Sequence, residues 1–269
     1  MEDKEIKEFN SQFEEEILDI AFILKEYAVG AGKVPNKEKY YQISILAIAY
    51  KNFADNTIVE NENITIQKKD NDTKYYFNTF KDKTIVRLKV RKHKDFDNAL
   101  YKRFLLVELI ENNYEDEDLK PILDKYVQPV YYKDEVLGTF KLDKGLNTFT
   151  NNINWVNKNK VELVFDNNDN IENSIQTARK IFEDKKELDK KVKEYIASQL
   201  LEEANNYNED ADKDEIDEKQ FAKFLTFESI VIRSKGVDFY VDDGDVFWGH
   251  VIIVESDFGF NFSDAYIAG

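Results

Sequence analysis

The sequence predicts an α+β fold with two domains, each a small, mainly antiparallel sheet packed with helices. The chain of 269 residues has room for two domains of ordinary size. Alternating, strand-like segments occur in groups that are separated by segments with helical periodicity, which is typical of α+β domains. A proline and a change of pattern at residues 129–135 indicate a boundary. We therefore expect an N-terminal domain over residues 1–130 and a C-terminal domain over residues 131–269.

The N-terminal domain is predicted to run helix, strand, helix. Apolar residues at steps of three and four predict an amphipathic helix over residues 6–27, and a segment apolar nearly all round predicts a buried helix over residues 38–53. Alternating segments predict three strands, at residues 63–67, 74–77 and 84–91. Two further helices are predicted, at residues 95–112 and 118–127. Pro121 falls in the first turn of the last helix, where its missing N–H is tolerated.

The C-terminal domain is predicted to place a helical middle between two groups of strands. The first group is expected at residues 136–142, 149–156 and 160–165. A long helical stretch starts at Ile171 and its apolar face slips near Asp184. Residues 202–218 are acidic and predict an exposed linker before a short helix over residues 218–225. The second group of strands is expected at residues 227–233, 238–241 and 248–254.

The chain is strongly acidic, with a formal net charge of −16 and a pI of about 4.7. Nucleic acid and anionic lipid are polyanions, so this charge disfavours binding to either. It suits a basic protein partner, although an acidic soluble protein with no such partner fits the composition equally. The absence of cysteine excludes disulfides, thiolate catalysis and cysteine-ligated metal sites.

The sequence shows no targeting signal. Residues 1–20 are rich in Glu and Asp and lack the apolar segment of a signal peptide, and the longest apolar run, over residues 43–50, is far too short to span a membrane. We therefore expect a cytoplasmic protein with no membrane partner. Nothing in the sequence indicates an oligomeric state.

The first candidate site lies near the end of the sequence, where an acidic turn leads into an apolar strand. Asp242, Asp245 and His250 could form an acid–base or metal site, with the imidazole as general base or ligand. A catalytic zinc site would usually contain more imidazoles. The alternative is a turn built by Asp and Gly and a strand whose one histidine makes a local hydrogen bond.

The second candidate site is a basic strand face. Arg87, Lys89 and Arg91 alternate with apolar residues, so the period of two places all three cations on one side of the strand. This face could bind a phosphate or an acidic partner, and nucleic acid binding would require that it be free of acidic neighbours. The alternative is a solvent-facing surface paired with nearby Asp and Glu.

No motif indicates a metal or a cofactor. Two segments have the alternate spacing of a calcium loop, namely Asp210, Asp212 and Asp214, and Asp166, Asn168 and Asn170. Both lack the glycine at the bend and the closing glutamate of such a loop. The sequence contains no glycine-rich phosphate loop, nucleophile elbow or paired-histidine helix, so we predict no cofactor.

Several segments of the C-terminal half resemble a bacterial family known as domain of unknown function 2262. They are residues 137–140, the Ile153-Asn154-Trp155 strand, the helical middle, and the segment Asp245-Val246-Phe247-Trp248-Gly249-His250 with the final Ala268-Gly269. The resemblance implies a bacterial, cytoplasmic α+β domain with no established activity, and it transfers no catalytic residues.

We therefore expect a non-enzymatic protein-interaction module, in its sharpest form an acidic immunity- or antitoxin-like inhibitor of a basic partner. The alternative is an enzyme that uses the region of Asp242, Asp245 and His250. The environment of the His250 ring separates the two hypotheses. A ring that faces a pocket of carboxylates favours the enzyme, and a ring that is packed or bonded to the main chain favours a structural role.

Overall fold

The structure is a computed structural model that describes residues 3–168, 170–210 and 214–269. It separates into two compact units, Met1–Gln128 and Pro129–Gly269. Both contain helices and strands, so the predicted α+β class is confirmed. Among the described residues, no helix has the length and apolar character needed to cross a membrane.

The N-terminal unit is a closed five-stranded barrel. Its strands are β1 (Leu18–Gly32), β2 (Tyr41–Asn52), β3 (Thr57–Asp70), β4 (Ile85–Lys92) and β5 (Lys102–Asn112). Its helices are α1 (Lys4–Asn10), α2 (Thr73–Thr79) and α3 (Lys120–Val127). The strand order is β1-β2-β3-β5-β4, and β4 closes the barrel onto β1. Neighbouring strands are antiparallel except β3 and β5, which are parallel. This is the five-stranded Greek-key architecture of the OB-fold.

Several barrel strands are buried on both faces along part of their length, because helices cover part of the outside. The interior is aromatic, with the Phe104 ring 5.2 Å from Phe22 and 4.8 Å from Phe96. Outside, α3 covers β1, β2 and β4, where Leu119 packs with four residues that point away from the barrel interior, namely Ala21, Ile23, Ala49 and Ile85. On the opposite side, Phe9 of α1 packs with Phe13 on Leu105 of β5. In these segments, apolar residues are therefore required at both the inward-facing and the outward-facing positions of the strand.

This two-sided burial explains the incorrect sequence predictions for this unit. The helices predicted at residues 38–53 and 95–112 are wrong, since these segments supply β2 and β5. The helix predicted at residues 6–27 is correct only for residues 6–10, which lie in α1, because residues 18–27 belong to β1. A strand that is apolar on both faces loses its alternation and cannot be told from a buried helix by periodicity. The predicted strand at residues 74–77 is also wrong, because Asp72 accepts a hydrogen bond from the Tyr75 N–H at 3.0 Å and caps α2. The helix predicted at residues 118–127 is confirmed as α3.

The C-terminal unit is an eight-stranded sheet with helices on one face. Its strands are β6 (Tyr131–Asp134), β7 (Gly138–Asp143), β8 (Thr148–Asn154), β9 (Lys160–Asp166), β10 (Thr226–Ile232), β11 (Val237–Asp242), β12 (Val251–Ser256) and β13 (Phe262–Ala268). Its helices are α4 (Ile171–Glu183), α5 (Lys185–Asp210) and α6 (Glu218–Phe224). The strands lie in the order β13-β12-β11-β10-β9-β8-β7-β6, so β13 and β6 form the edges. The sheet is antiparallel except where β10 pairs with β9, the two strands that the helices connect.

The helices bury the inner face of this sheet in one apolar core. Ile175 and Ile181 of α4, Val192 and Ile196 of α5 and Phe221 of α6 are nearly inaccessible to solvent and pack on the strands. The expected slip near Asp184 is where α4 ends and α5 begins. The acidic linker predicted over residues 202–218 is wrong as far as Asp210, because α5 continues to that residue. Both edge strands are absent from the sequence prediction.

A buried ion pair ties α4 to the first strand of the sheet. The Asp134 side chain is only 1% exposed and accepts hydrogen bonds from Arg179 Nε at 3.0 Å and Nη2 at 2.7 Å. Its second oxygen accepts from the backbone N–H groups of Val136 at 2.9 Å and Leu137 at 2.8 Å. Burial alone would raise the pKa of Asp134, but the bonds from Arg179 and the two amides outweigh it and the pKa is lowered.

We predict that Asp134→Ala lowers the free energy of unfolding by about 3 kcal/mol, since it removes charge-assisted bonds and leaves two backbone donors without their acceptor. Chemical denaturation at pH 7 measures the effect, and the exposed neighbour in Glu135→Ala is the control, expected to change it by less than about 0.5 kcal/mol. Because the Asp134 pKa is lowered on folding, the stabilisation is present above the ordinary carboxyl pKa and lost as the pH falls through the folded value. A difference between wild type and variant that stays constant down to pH 2 would contradict this assignment.

Candidate functional site

The first candidate site lies in the loop between β11 and β12, and its backbone is unusual. Four of its residues have φ in the left-handed region, namely Gly244 (65°), Asp245 (65°), Trp248 (60°) and Gly249 (84°). A Cβ on Gly244 would lie 2.7 Å from Phe224 Cβ and 2.9 Å from its carbonyl oxygen. Only glycine fits there without a shift of the backbone of α6.

A fully buried carboxylate holds this loop. Asp243 is 0% exposed and accepts hydrogen bonds from the N–H groups of Asp245 at 2.7 Å and Phe247 at 2.5 Å. Asp242 accepts from the N–H of Gly244 at 3.0 Å. The acidic residues of this turn therefore satisfy backbone donors and shape the loop. Asp243 is not among the site residues predicted from the sequence.

His250 is bonded to the main chain of the same loop. Its Nδ1 makes a short hydrogen bond with the carbonyl oxygen of Phe247. A Cβ on Gly269 would lie 2.6 Å from His250 Cδ2, so the ring packs closely against the last residue of the chain. In the described part of the chain, no hydrogen bond or ion pair joins His250 to Asp242 or Asp245. This is the arrangement that favours a structural role for the imidazole.

The two tryptophans of the chain differ in exposure. Trp155 is 3% exposed and donates from Nε1 to Asp189 at 2.9 Å, as a core anchor does. Trp248 is 58% exposed, and its ring lies 5.0 Å from Tyr207 on α5. Its left-handed backbone turns the side chain out of the strand alternation, while Phe247 takes the buried position.

The second candidate site, on β4, is neutralised by neighbouring acids. Arg87 makes a bidentate ion pair with Asp19 (Nε to Oδ1 2.9 Å, Nη2 to Oδ2 2.8 Å) and lies 4.4 Å from the Phe53 ring centroid. Lys89 lies 3.1 Å from Glu108. The condition for nucleic acid binding, a face free of acidic neighbours, is therefore not met by these two cations.

Arg91 serves the fold of the N-terminal segment. It donates from Nη2 to the Phe13 carbonyl oxygen at 3.0 Å and from Nε to the Glu14 carbonyl oxygen, and it lies 3.3 Å from Glu15. These bonds fix the chain between α1 and β1 to the end of β4. The Arg91 guanidinium therefore already has hydrogen-bond and ion-pair partners within the protein.

The usual binding surface of an OB-fold barrel, the outer face of β2 and β3, is also neutralised here. Lys69 is buried there and pairs with Glu38 at 2.7 Å and Glu5 of α1 at 3.1 Å. Burial would lower the Lys69 pKa, but the two carboxylates reverse this and raise it. The lysine is therefore charged and already has its counter-ions.

The acidic excess of the chain is concentrated in the C-terminal unit. Met1–Gln128 contains 25 Asp and Glu against 21 Lys and Arg, a net charge of −4. Pro129–Gly269 contains 29 against 17, a net charge of −12. Among the described residues, no group of His, Asp and Glu has an arrangement that could hold a metal ion. Asp212, of the first calcium-like segment, lies outside the described residues.

A cavity of about 230 Å³ lies at the carboxyl ends of the parallel strands β9 and β10. Its polar lining comes mainly from the start of α4 and from the end of β10, including Asn173, Ser174, Arg233 and Ser234. Arg233 is partly engaged by its own unit, since Nε bonds Asp238 and Nη2 donates to the Tyr240 hydroxyl at 3.1 Å. The cavity could not be predicted from the sequence, because the pairing of β9 with β10 across the helical middle leaves no local signal.

The comparisons with known proteins agree with this division of the chain. Residues 134–267 match a family model described as an uncharacterized protein conserved in bacteria (DUF2262). This match covers 134 of the 269 residues and lies within the C-terminal unit. A second family model, a domain of unknown function (DUF7021), matches residues 5–126. No curated protein and no solved structure gives a match.

The resemblance drawn from the sequence to domain of unknown function 2262 is thus confirmed for the C-terminal half, and its segments have identifiable roles. The match begins at the buried Asp134 and includes the loop held by Asp243. Trp155, one of its quoted residues, anchors the core. These matched positions therefore stabilise the fold of the C-terminal unit in this protein.

We predict that Gly244→Ala lowers the free energy of unfolding by about 2–3 kcal/mol, through the left-handed φ and the contact with Phe224. Gly249→Ala is the matched control, because its φ is also left-handed but its Cβ would meet no atom within 4 Å. We expect a loss of about 1 kcal/mol for the control. Thermal and denaturant unfolding of both variants measures the difference, and equal losses would contradict the role given to the Phe224 contact.

We also predict that Arg87→Ala lowers the free energy of unfolding by about 2 kcal/mol, through loss of a bidentate pair and of packing on Phe53. Lys89→Ala, which removes one exposed ion pair, should change it by less than about 0.5 kcal/mol. Denaturant titrations compare the two. Equal stability of Arg87→Ala and wild type would mean that the cation does not support the barrel.

Proposed function

We propose that this protein is a non-enzymatic, cytoplasmic interaction module that binds a basic protein partner through its C-terminal unit. In the sharpest form of the proposal it is an immunity- or antitoxin-like inhibitor of that partner. The observation that carries the proposal is the net charge of −12 on Pro129–Gly269 against −4 on Met1–Gln128. A strong negative field on one unit speeds association with a basic surface and disfavours acidic competitors.

The contacts of the candidate catalytic residues also support this choice over an enzyme. Asp242 accepts a backbone hydrogen bond within the turn, and His250 is bonded to the Phe247 carbonyl oxygen. These groups have local structural partners and do not converge on one another. An acid–base mechanism would require the imidazole and a carboxylate to reach the same reacting atom.

The test uses the full-length chain as bait in a nuclease-treated lysate of its native bacterial host, with captured proteins identified by mass spectrometry. We expect a basic protein to be retained at about 0.05 M salt and released at about 0.5 M, where charges are screened over a few ångströms. The identified partner is then expressed alone and together with the bait. Growth inhibition by the partner that the bait relieves supports the inhibitor form.

The matched control bait carries Asp245→Asn, which removes an exposed candidate catalytic carboxylate and little of the total charge. It should capture the same protein and relieve the same growth inhibition. Capture of only neutral or acidic proteins, or retention that is insensitive to salt, would contradict the proposal. Loss of the relief in Asp245→Asn with capture unchanged would favour the enzyme hypothesis.

A further inference from the structure

The outer face of the eight-stranded sheet carries a row of carboxylates. Asp238 of β11 pairs in register with Glu255 of β12, and Glu255 pairs with Asp264 of the edge strand β13. Their inner-face neighbours Phe239, Val254 and Ala265 are buried, so alternation directs the three acids away from the helices. Neighbouring strands lie about 4.8 Å apart, so the row is compact.

The charges in this row are only partly compensated. Asp238 has a counter-ion in Arg233. In the described part of the chain, no Lys or Arg forms an ion pair with Glu255 or Asp264. Like charges directly opposite on neighbouring strands destabilise a sheet. Glu255 and Asp264 are such a pair, so the folded state retains a repulsion that a cation from outside would relieve.

An apolar row lies beside the acidic one. Tyr240 pairs with Ile253, and Ile253 pairs with Tyr266. Ile253 is only 9% exposed, so the accessible surface of this row is that of the two aromatic residues. Tyr266 is 37% exposed, and its hydroxyl donates to Glu255 Oε1 at 3.3 Å. Lys and Arg have an apolar stem and a cationic head, so two such rows match both parts of those side chains.

We propose that the outer face of β11, β12 and β13 is the docking site for a Lys- or Arg-rich segment of a protein partner, with the cations between Glu255 and Asp264 and their stems on the Tyr266 ring. The inference rests on the proposed function and adds its location and chemistry. Charge complementarity selects the occupant, because the row is acidic and its central pair has no cation of its own. The neutral polar residues of β8, in contrast, offer nothing to a basic segment.

The test compares two charge-matched variants of the full-length chain. Glu255→Gln with Asp264→Asn removes the central pair but keeps amide oxygens for the bonds from Tyr266 and from the Ala265 N–H. The control is Glu183→Gln with Glu203→Gln, two exposed carboxylates on the helices of the opposite face. The probe is a fluorescent peptide of alternating Lys and Val, and its counterpart has Glu in place of Lys.

We expect the Lys peptide to bind the wild-type chain at low salt and the Glu peptide not to bind. The central-pair variant should weaken binding about fivefold or more, and the control less than about twofold. The same central-pair variant should melt about 1–2 °C higher than wild type, since a repulsion is removed. The control variant should leave the melting temperature unchanged.

The outcomes distinguish a wrong location of the docking site from a wrong proposed function. Equal weakening by both variants, or by neither, would overturn the location while leaving capture of a basic protein by the chain intact. A lower melting temperature in the central-pair variant would show that the carboxylates support the fold and would overturn the inference. Failure of the wild-type chain to bind the Lys peptide would overturn it as well, and the lysate capture then decides the proposed function independently.

Discussion

The number of faces that each sheet buries determines most of this structure. In the barrel, helices pack on the outside of strands whose other face already fills the interior, so β1 needs Ala21 and Ile23 as well as Ile20 and Phe22. In the C-terminal unit, one face packs on α4, α5 and α6, and the other keeps polar and charged residues. The first arrangement uses the surface for stability. The second leaves a surface that can be used for recognition.

This constraint also explains what the sequence could and could not predict. In the C-terminal half, one-sided burial keeps the alternation of residues 160–165 and 238–241, and these strands were predicted close to their observed bounds. In the N-terminal half, β1, β2 and β5 carry apolar residues on both faces, which erases the alternation, and the apolar runs were interpreted as helices. In β5 only part of this apolar surface is buried. Helix boundaries with local chemistry, such as Pro121 in α3, were predictable because their signal lies within a few residues.

For the candidate sites too, the features that depend on residues close in sequence were predictable, and those that depend on strand pairing were not. The sequence correctly indicated a shaped acidic turn, but it did not identify Asp243 as the buried carboxylate, since Asp242 and Asp245 in the same turn are of the same residue type. It placed Arg87, Lys89 and Arg91 on one face, but Asp19, Glu108 and Glu15 reach them only through pairing of β4 with β1 and β5 and through the chain beside α1. The row of Asp238, Glu255 and Asp264 requires the register of three strands, one of them unpredicted.

The distribution of compensated and uncompensated charge connects the fold to the proposed function. Where a charge is buried in this protein, it has a partner of opposite sign or several backbone donors, as Lys69, Asp134 and Asp243 do. Glu255 and Asp264 lie opposite each other at solvent-facing positions, and among the described residues neither has a partner of opposite charge. Water makes such a repulsion tolerable, but it does not make it favourable. Glu255 and Asp264 have neutral hydrogen-bond donors in Tyr266 and the Ala265 N–H but no cation among the described residues, and this is the pattern that the proposed docking of a Lys or Arg side chain would complete.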